Sequence, residues 1–264
     1  MNARMPVVPS AWLQPDWSLP HVRALMSTRA GGVSSGAYAS LNVGDAVGDE
    51  PGLVAQNRCR VGDALGADPV FLRQVHGSGV VQLHASMLDA SAQVPQADAS
   101  ISTTPGLACT VQVADCLPVL FAGPSGVGGA HAGWRGLAAG VLENTVATLC
   151  EASQCRPDAL HAWLGACIGP EAFEVGADVL GAFAVEPGLA PSGRLARYFS
   201  YRPNAQGEPR WRADLAGLAR ERLHDAGVRH LYGSAPCTHA DPARFFSFRR
   251  DARCGRMVAA ISLI

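Results

Sequence analysis

Residues 107–137 read LACTVQVADCLPVLFAGPSGVGGAHAGWRGL, and this stretch decides the fold. Leu107, Cys109, Val111 and Val113 recur at period two, the spacing that puts them on one face of a strand. Cys116 follows at the strand end, and Pro118 is expected to stop a regular central strand soon afterwards, because proline cannot donate to a ladder. A short apolar strand, PVLF, then meets the turn GPSG. VGGAHAGWRG reads as a glycine-rich strand leading into a helix over 137–152, whose positions 137, 141, 142, 146 and 149 share one face. Free backbone N–H groups at such a helix start can hold an anion.

Working outward, VRALM begins a strand that leads to the glycine-rich loop STRAGGVSSG. Residues 50–66 predict a helix, with Pro51 at its start and Gly66 just past its end. VFLRQVHGSGVVQL reads as strand, turn, strand, which puts His76 near a loop-like break and His84 in the second strand, facing solvent or packing. ALHAWLGACIGP is a further strand, and a helix is expected near 174–184. Residues 187–210 read as a polar excursion, and Asp214 caps a helix that ends at Gly227. FFSFRRD and GRMVAAISLI are expected as the last two strands. Residues 1–21 form a variable N-terminal segment ahead of one domain, since no composition shift divides the 264 residues and no repeat marks a solenoid.

Composition excludes several classes. Twenty-one basic residues against 22 acidic ones give a net charge of −1, without the basic footprint of a nucleic-acid binder. No apolar run reaches the roughly 18–20 residues that span a bilayer, and the first 17 residues lack a signal core. A cytoplasmic protein is therefore expected, with its eight cysteines reduced and no disulfide framework. No C-x-x-C pair exists for a four-cysteine zinc site, and the phosphate-binding P-loop and dinucleotide fingerprints are missing.

Three residues carry metal-binding chemistry. Cys116 and His131 lie 15 residues apart across a strand–loop–strand, and His76 comes from another element. A thiolate with two imidazoles is the three-ligand set that holds zinc while leaving a fourth position open. The same residues allow a second reading, in which Cys116 is a nucleophile and His131 its base. A multi-copper site fares worse, because eight histidines include no His-x-His pair, although one copper ion also suits Cys and His. Arg29 beside Gly31-Gly32, Arg135 after His131, and Arg249 and Arg250 in SFRRD are candidates for holding phosphate or carboxylate. Structural salt bridges are the alternative for each.

In order along the chain, STRAGGVS, SLNVG, RQVHG, ADCLPVLF, AHAGWRG, WLG-x-x-IGP-x-x-FEVG and FFSFRRD resemble the laccase-domain (YfiH-type) proteins, from about residue 22 to the C-terminus. That resemblance implies an α+β fold, a β-sandwich of mixed sheets with helices on the outside and two intertwined similar halves. It implies Zn²⁺ held by His76, Cys116 and His131, with Cu²⁺ as the alternative metal. It implies a purine nucleoside phosphorylase acting on adenosine, inosine or methylthioadenosine, with adenosine deaminase activity. Partners are then a small-molecule nucleoside and phosphate, without nucleic acid or membrane, for a monomeric chain. Arg29, Arg135 and Arg249 would hold phosphate, and Asp115, the carboxylate nearest Cys116 in sequence, is a candidate general acid/base or a structural carboxylate. Relatives carry two other labels, cell-wall precursor editing by a Cys/His amide hydrolase and copper-dependent polyphenol oxidation. Ala166-Cys167 and His239 depart from the family's usual Pro-Ala and aromatic residues, and neither touches the three ligands.

Overall fold

A computed structural model describes residues 6–89 and 91–264. In chain order it runs β1 (Val22–Met26), α1 (Pro51–Leu65), β2 (Asp68–Val70), β3 (Val80–Gln82), β4 (Ala99–Ser102), β5 (Leu107–Val113), β6 (Leu117–Ala122), β7 (Val127–Ala132), α2 (Trp134–Ala138), α3 (Val141–Ser153), β8 (His161–Leu164), β9 (Glu174–Val175), α4 (Ala177–Ala182), β10 (Phe199–Tyr201), β11 (Trp211–Ala213), α5 (Leu215–Asp225), β12 (His230–Tyr232), α6 (Phe248–Asp251) and β13 (Met257–Leu263). A four-stranded sheet has the order β1-β13-β5-β2, and a six-stranded sheet has the order β12-β8-β6-β7-β4-β3. A small third sheet, β10-β11-β9, adds Val175, Phe199, Trp211 and Ala213 to the core outside the six-stranded sheet. Both large sheets mix parallel and antiparallel pairs, so the class is α+β with mixed sheets and outer helices.

The two large sheets face each other across a core built from both. Cys109, Val111, Val113, Met257, Ala259 and Ile261 meet Leu120, Ala122, Val127 and Trp163 there. The outer face of the four-stranded sheet, with Leu25, Ala108, Val258 and Ala260, is covered by Val61 and Leu65 of α1. The outer face of the six-stranded sheet, with Ile101, Val119, Phe121 and Ala130, is covered by Val146 and Leu149 of α3 and Leu218 and Leu223 of α5. Central strands are therefore buried on both faces, which is why β6 and β7 read as near-continuous small or apolar runs. Removing one fully buried ring here, as in Phe121→Ala, costs about 3–5 kcal/mol.

Local chemistry sets the element ends. Gly66 closes α1 in the left-handed region at φ 68°, and the Asp214 side chain accepts from the Gly217 N–H to start α5. Several expectations fail for identifiable reasons. Pro118 does not stop the central strand: β6 runs through it. Its carbonyl accepts from Gly165 on the β8 side, one step beyond the regular β8 ladder that begins at Val119, so the missing N–H costs only the outermost bond of that pairing. The helix expected over 137–152 divides at Gly140, whose φ of 89° breaks α2 from α3. The helix expected over 174–184 is shorter, since Glu174–Val175 form β9. FFSFRRD is no strand: Phe245 and Phe246 are buried, and the Ser247 hydroxyl accepts from the Arg250 N–H to cap α6. His84 lies outside β3, exposed, just before a short 3₁₀ turn.

Candidate metal centre

Three elements deliver the three side chains. Pairing of β6 with β7 sets Leu117 opposite Ala132, which brings Cys116, in the turn before β6, beside His131 in β7. His76 arrives from the segment between β2 and β3, where its backbone takes the left-handed φ of 60°. One donor atom from each of His76, Cys116 and His131 lies within 4.8 Å of the other two. Cys116 Sγ is 4.0 Å from His76 Nε2, and the two imidazoles meet edge to face at 4.9 Å between centroids. A tetrahedral zinc with bonds of about 2.0–2.3 Å needs donor separations of about 3.3–3.6 Å, so a small inward shift closes the set. Gly133 packs against this cluster. A Cβ there would stand 3.0 Å from Cys116 Sγ, 3.2 Å from His76 Cδ2 and 3.7 Å from His131 Cε1.

Sequence reasoning missed the residue that organises this geometry, Asp98. Its carboxylate is buried, and four donors converge on it. Oδ1 accepts from the His76 N–H at 2.8 Å and lies 2.9 Å from His131 Nδ1; Oδ2 accepts from the Val75 and Gly77 N–H groups at 3.1 and 2.7 Å. With Nδ1 engaged, His131 turns Nε2 toward the cluster. The one signal in the sequence was an acidic residue opening the otherwise small and apolar run ASIS.

Electrostatics suit both metal binding and thiolate chemistry. Burial pushes the Cys116 thiol up, but the charge and hydrogen bonding of His131 and His76 outweigh it and bring Cys116 down to about 6. Burial pushes His131 down, and the Cys116 thiolate and the Asp98 carboxylate outweigh it, raising His131 to about 9. A metal-free centre at neutral pH therefore holds a thiolate–imidazolium pair, and the thiolate is already the form a metal takes.

The cluster lies in a cleft of about 1050 Å³, with Trp134, Phe173 and Phe248 on its walls. Arg135 lines the cleft, stacks on Trp134 at 4.4 Å, and makes no side-chain hydrogen bond among the described residues. Arg73, which the sequence reading passed over, also lines the cleft with a guanidinium that makes no hydrogen bond among those residues. Arg249 lines it too, donating to the Glu174 carbonyl at 3.0 Å. Two other arginines sit elsewhere. Arg29 is not among the cleft-lining residues and donates to the carbonyls of Ala39 and Pro242, each at 2.9 Å. Arg250 is tied to the carbonyls of Thr238, His239 and Phe245 and to Asp251. The helix start after His131 offers little to an anion, since α2 is only five residues long.

Asp115 is buried and its carboxylate is occupied. Oδ1 accepts from Thr238 Oγ1 at 2.6 Å, and Oδ2 accepts from Ser247 Oγ at 3.0 Å and the Arg249 N–H at 2.7 Å. Those bonds tie the Cys116 turn to the segment carrying Arg249. Residues 32–36, GVSSG, have the spacing of a serine nucleophile elbow. The Ser34 hydroxyl there donates to Asp49 and accepts from Asn57, so it is committed to packing the loop.

Comparison with known proteins agrees with this architecture. The family model described as multi-copper polyphenol oxidoreductase laccase matches residues 23–264. A purine nucleoside phosphorylase of Pseudomonas aeruginosa is 46% identical over 257 residues, covering 96% of this chain and 99% of that one. The purine nucleoside phosphorylase YfiH of Escherichia coli K12 is 44% identical over 260 residues, covering 97% and 100%. Among solved structures, a Neisseria meningitidis protein superimposes with a TM-score of 0.85 at 42% identity, covering 96% and 99%. YlmD from Geobacillus stearothermophilus superimposes at 0.81 and 31% identity, covering 97% and 99%.

Proposed function

The chain belongs to this laccase-domain family, and from that premise we propose that it is a zinc-dependent purine nucleoside phosphorylase that also deaminates adenosine. The observation that carries the proposal is the juxtaposition of one His–Cys–His cluster with cleft-lining arginines, of which Arg73 and Arg135 make no side-chain hydrogen bond among the described residues. His76, Cys116 and His131 fit a zinc ion by donor type and spacing, and such an ion would supply Lewis acidity at the floor of the cleft. Arg135 and Arg249 hold phosphate against the ribose. A phosphate oxygen attacks C1′, the C1′–N bond breaks, its electron pair leaves with the purine, and the proton phosphate gives up ends on that nitrogen, giving free base and ribose 1-phosphate. Trp134, Phe173 and Phe248 give the purine apolar faces to pack on. In deamination the arginines have no phosphate to place, and water replaces the amino group at C6 with loss of ammonia. Asp115, with three donors already on its carboxylate, holds the 238–249 wall and Arg249 in this reading rather than moving a proton. The enzyme is proposed to act as a cytoplasmic monomer on small molecules, without nucleic acid or membrane. No helix of the described residues is long and apolar enough to cross a membrane.

A second reading has an observation of its own. Cys116, His131 and Asp98 lie in the order nucleophile, base and orienting carboxylate of a Cys/His hydrolase, with Asp98 on Nδ1 and the thiolate on the other side of the ring. A multi-copper oxidase has no such support: among the described residues one cluster has metal-ligand spacing. The deciding experiment is a substrate panel on metal-analysed protein, with and without phosphate, reading free base and inosine. Free base formed only with phosphate is expected. Amide hydrolysis without nucleoside turnover would transfer the assignment to the hydrolase.

A further inference from the structure

We infer that Asp98 is a positioning residue that sets the metal affinity of the centre, because one carboxylate fixes two of the three ligands at once. The inference rests on the metal reading of His76, Cys116 and His131.

Three of its contacts place His76. Left-handed backbone is strained for a non-glycine residue, and His76 sits there at φ 60°, held by its partners. The N–H groups of Val75, His76 and Gly77 form a concave run of three donors around the Asp98 oxygens, which is the arrangement that holds an anion. The fourth contact places His131: a carboxylate on Nδ1 keeps the proton there and the lone pair on Nε2, facing Cys116 and His76. Segments 22 and 33 residues away in sequence thus meet on one pair of oxygens. An amide at this position cannot repeat this. It would offer one acceptor oxygen to four donors, and its NH₂ would face either the backbone N–H groups or the His131 ring. Facing the ring, it would drive the proton to Nε2 and remove a ligand.

The test is zinc affinity of the full chain, stripped by chelator and titrated in competition with a chromophoric chelator. Asp98→Asn is expected to weaken binding about 10–100-fold. Asp49→Asn is the control, since Asp49 also accepts three hydrogen bonds but from Ser34, Asn42 and Glu50, away from the cluster; its affinity should match wild type. Equal zinc affinity in Asp98→Asn and wild type overturns the inference, whereas wild-type protein that binds no zinc overturns the metal reading beneath it. The wild type alone provides a second test that needs no variant to fold. In zinc-loaded protein, ¹⁵N NMR of His131 should show a protonated Nδ1 and a metallated Nε2. Metallated Nδ1 overturns the inference.

Discussion

Two buried carboxylates flank the ligand cluster, and they are built alike. Asp98, beneath His131, takes three backbone donors and an imidazole; Asp115, beside Cys116, takes two hydroxyls and one backbone donor. Only Asp98 reaches a ligand side chain. Asp115 is adjacent to a ligand in sequence, yet its oxygens are taken up by Thr238, Ser247 and the Arg249 N–H. A carboxylate's part in a site is thus decided by which donors converge on it, not by sequence distance. The region around Asp98 is a device for placing metal ligands, and the region around Asp115 is a device for placing the cleft wall.

The largest expected effect comes from removing a ligand outright. His76→Ala should lower zinc affinity about 10²–10⁴-fold, a third of the binding energy typical of such sites, and abolish nucleoside turnover. Circular dichroism should show the variant folded, because His76 is exposed and its backbone contacts to Asp98 persist. A variant that keeps amide hydrolysis instead would make Cys116 and His131 the whole catalytic unit.

Asp115→Ala sharpens the comparison from the other side. Three donors lose their acceptor, so chemical denaturation should report about 2–4 kcal/mol less stability. Zinc affinity of the folded fraction should stay within about threefold of wild type. A tenfold loss would erase the distinction between the two aspartates.

The arginines give the smallest effects and the clearest contrast. Arg135→Ala should raise KM for phosphate about tenfold with little change in stability, since its guanidinium stacks on Trp134 and bonds nothing else among the described residues. Arg29→Ala should do the reverse: an unchanged KM and about 1–2 kcal/mol lost as two carbonyls go unpaired. Steady-state kinetics beside thermal melts separates the pair.

The sequence showed the ligands better than their support. Cys116 stood at a strand end and His131 in a glycine-rich run, where a side chain at Gly133 would press on the cluster, so local spacing already reflected the site. α1, β5 and β13 were legible through their caps and periodicity. Asp98 was not, because its contacts with residues 75–77 and 131 exist only once β4 pairs with β7. Arg29 and Arg135 look equivalent in sequence, each beside glycine, and only tertiary carbonyl partners separate them. The FRRD segment was misread because an alternating aromatic pattern resembles a strand, while the Ser247 cap and the Asp115 anchor make it a helical turn.

The most direct test of the metal centre is the reactivity of Cys116. With a thiolate held near 6, chelated protein at pH 7 should react rapidly with iodoacetamide at this residue. Protein carrying one equivalent of zinc should resist, and peptide mass spectrometry should show Cys116 unmodified until the chelator is added. Alkylation of Cys116 at the same rate with and without zinc would contradict a metal held by His76, Cys116 and His131.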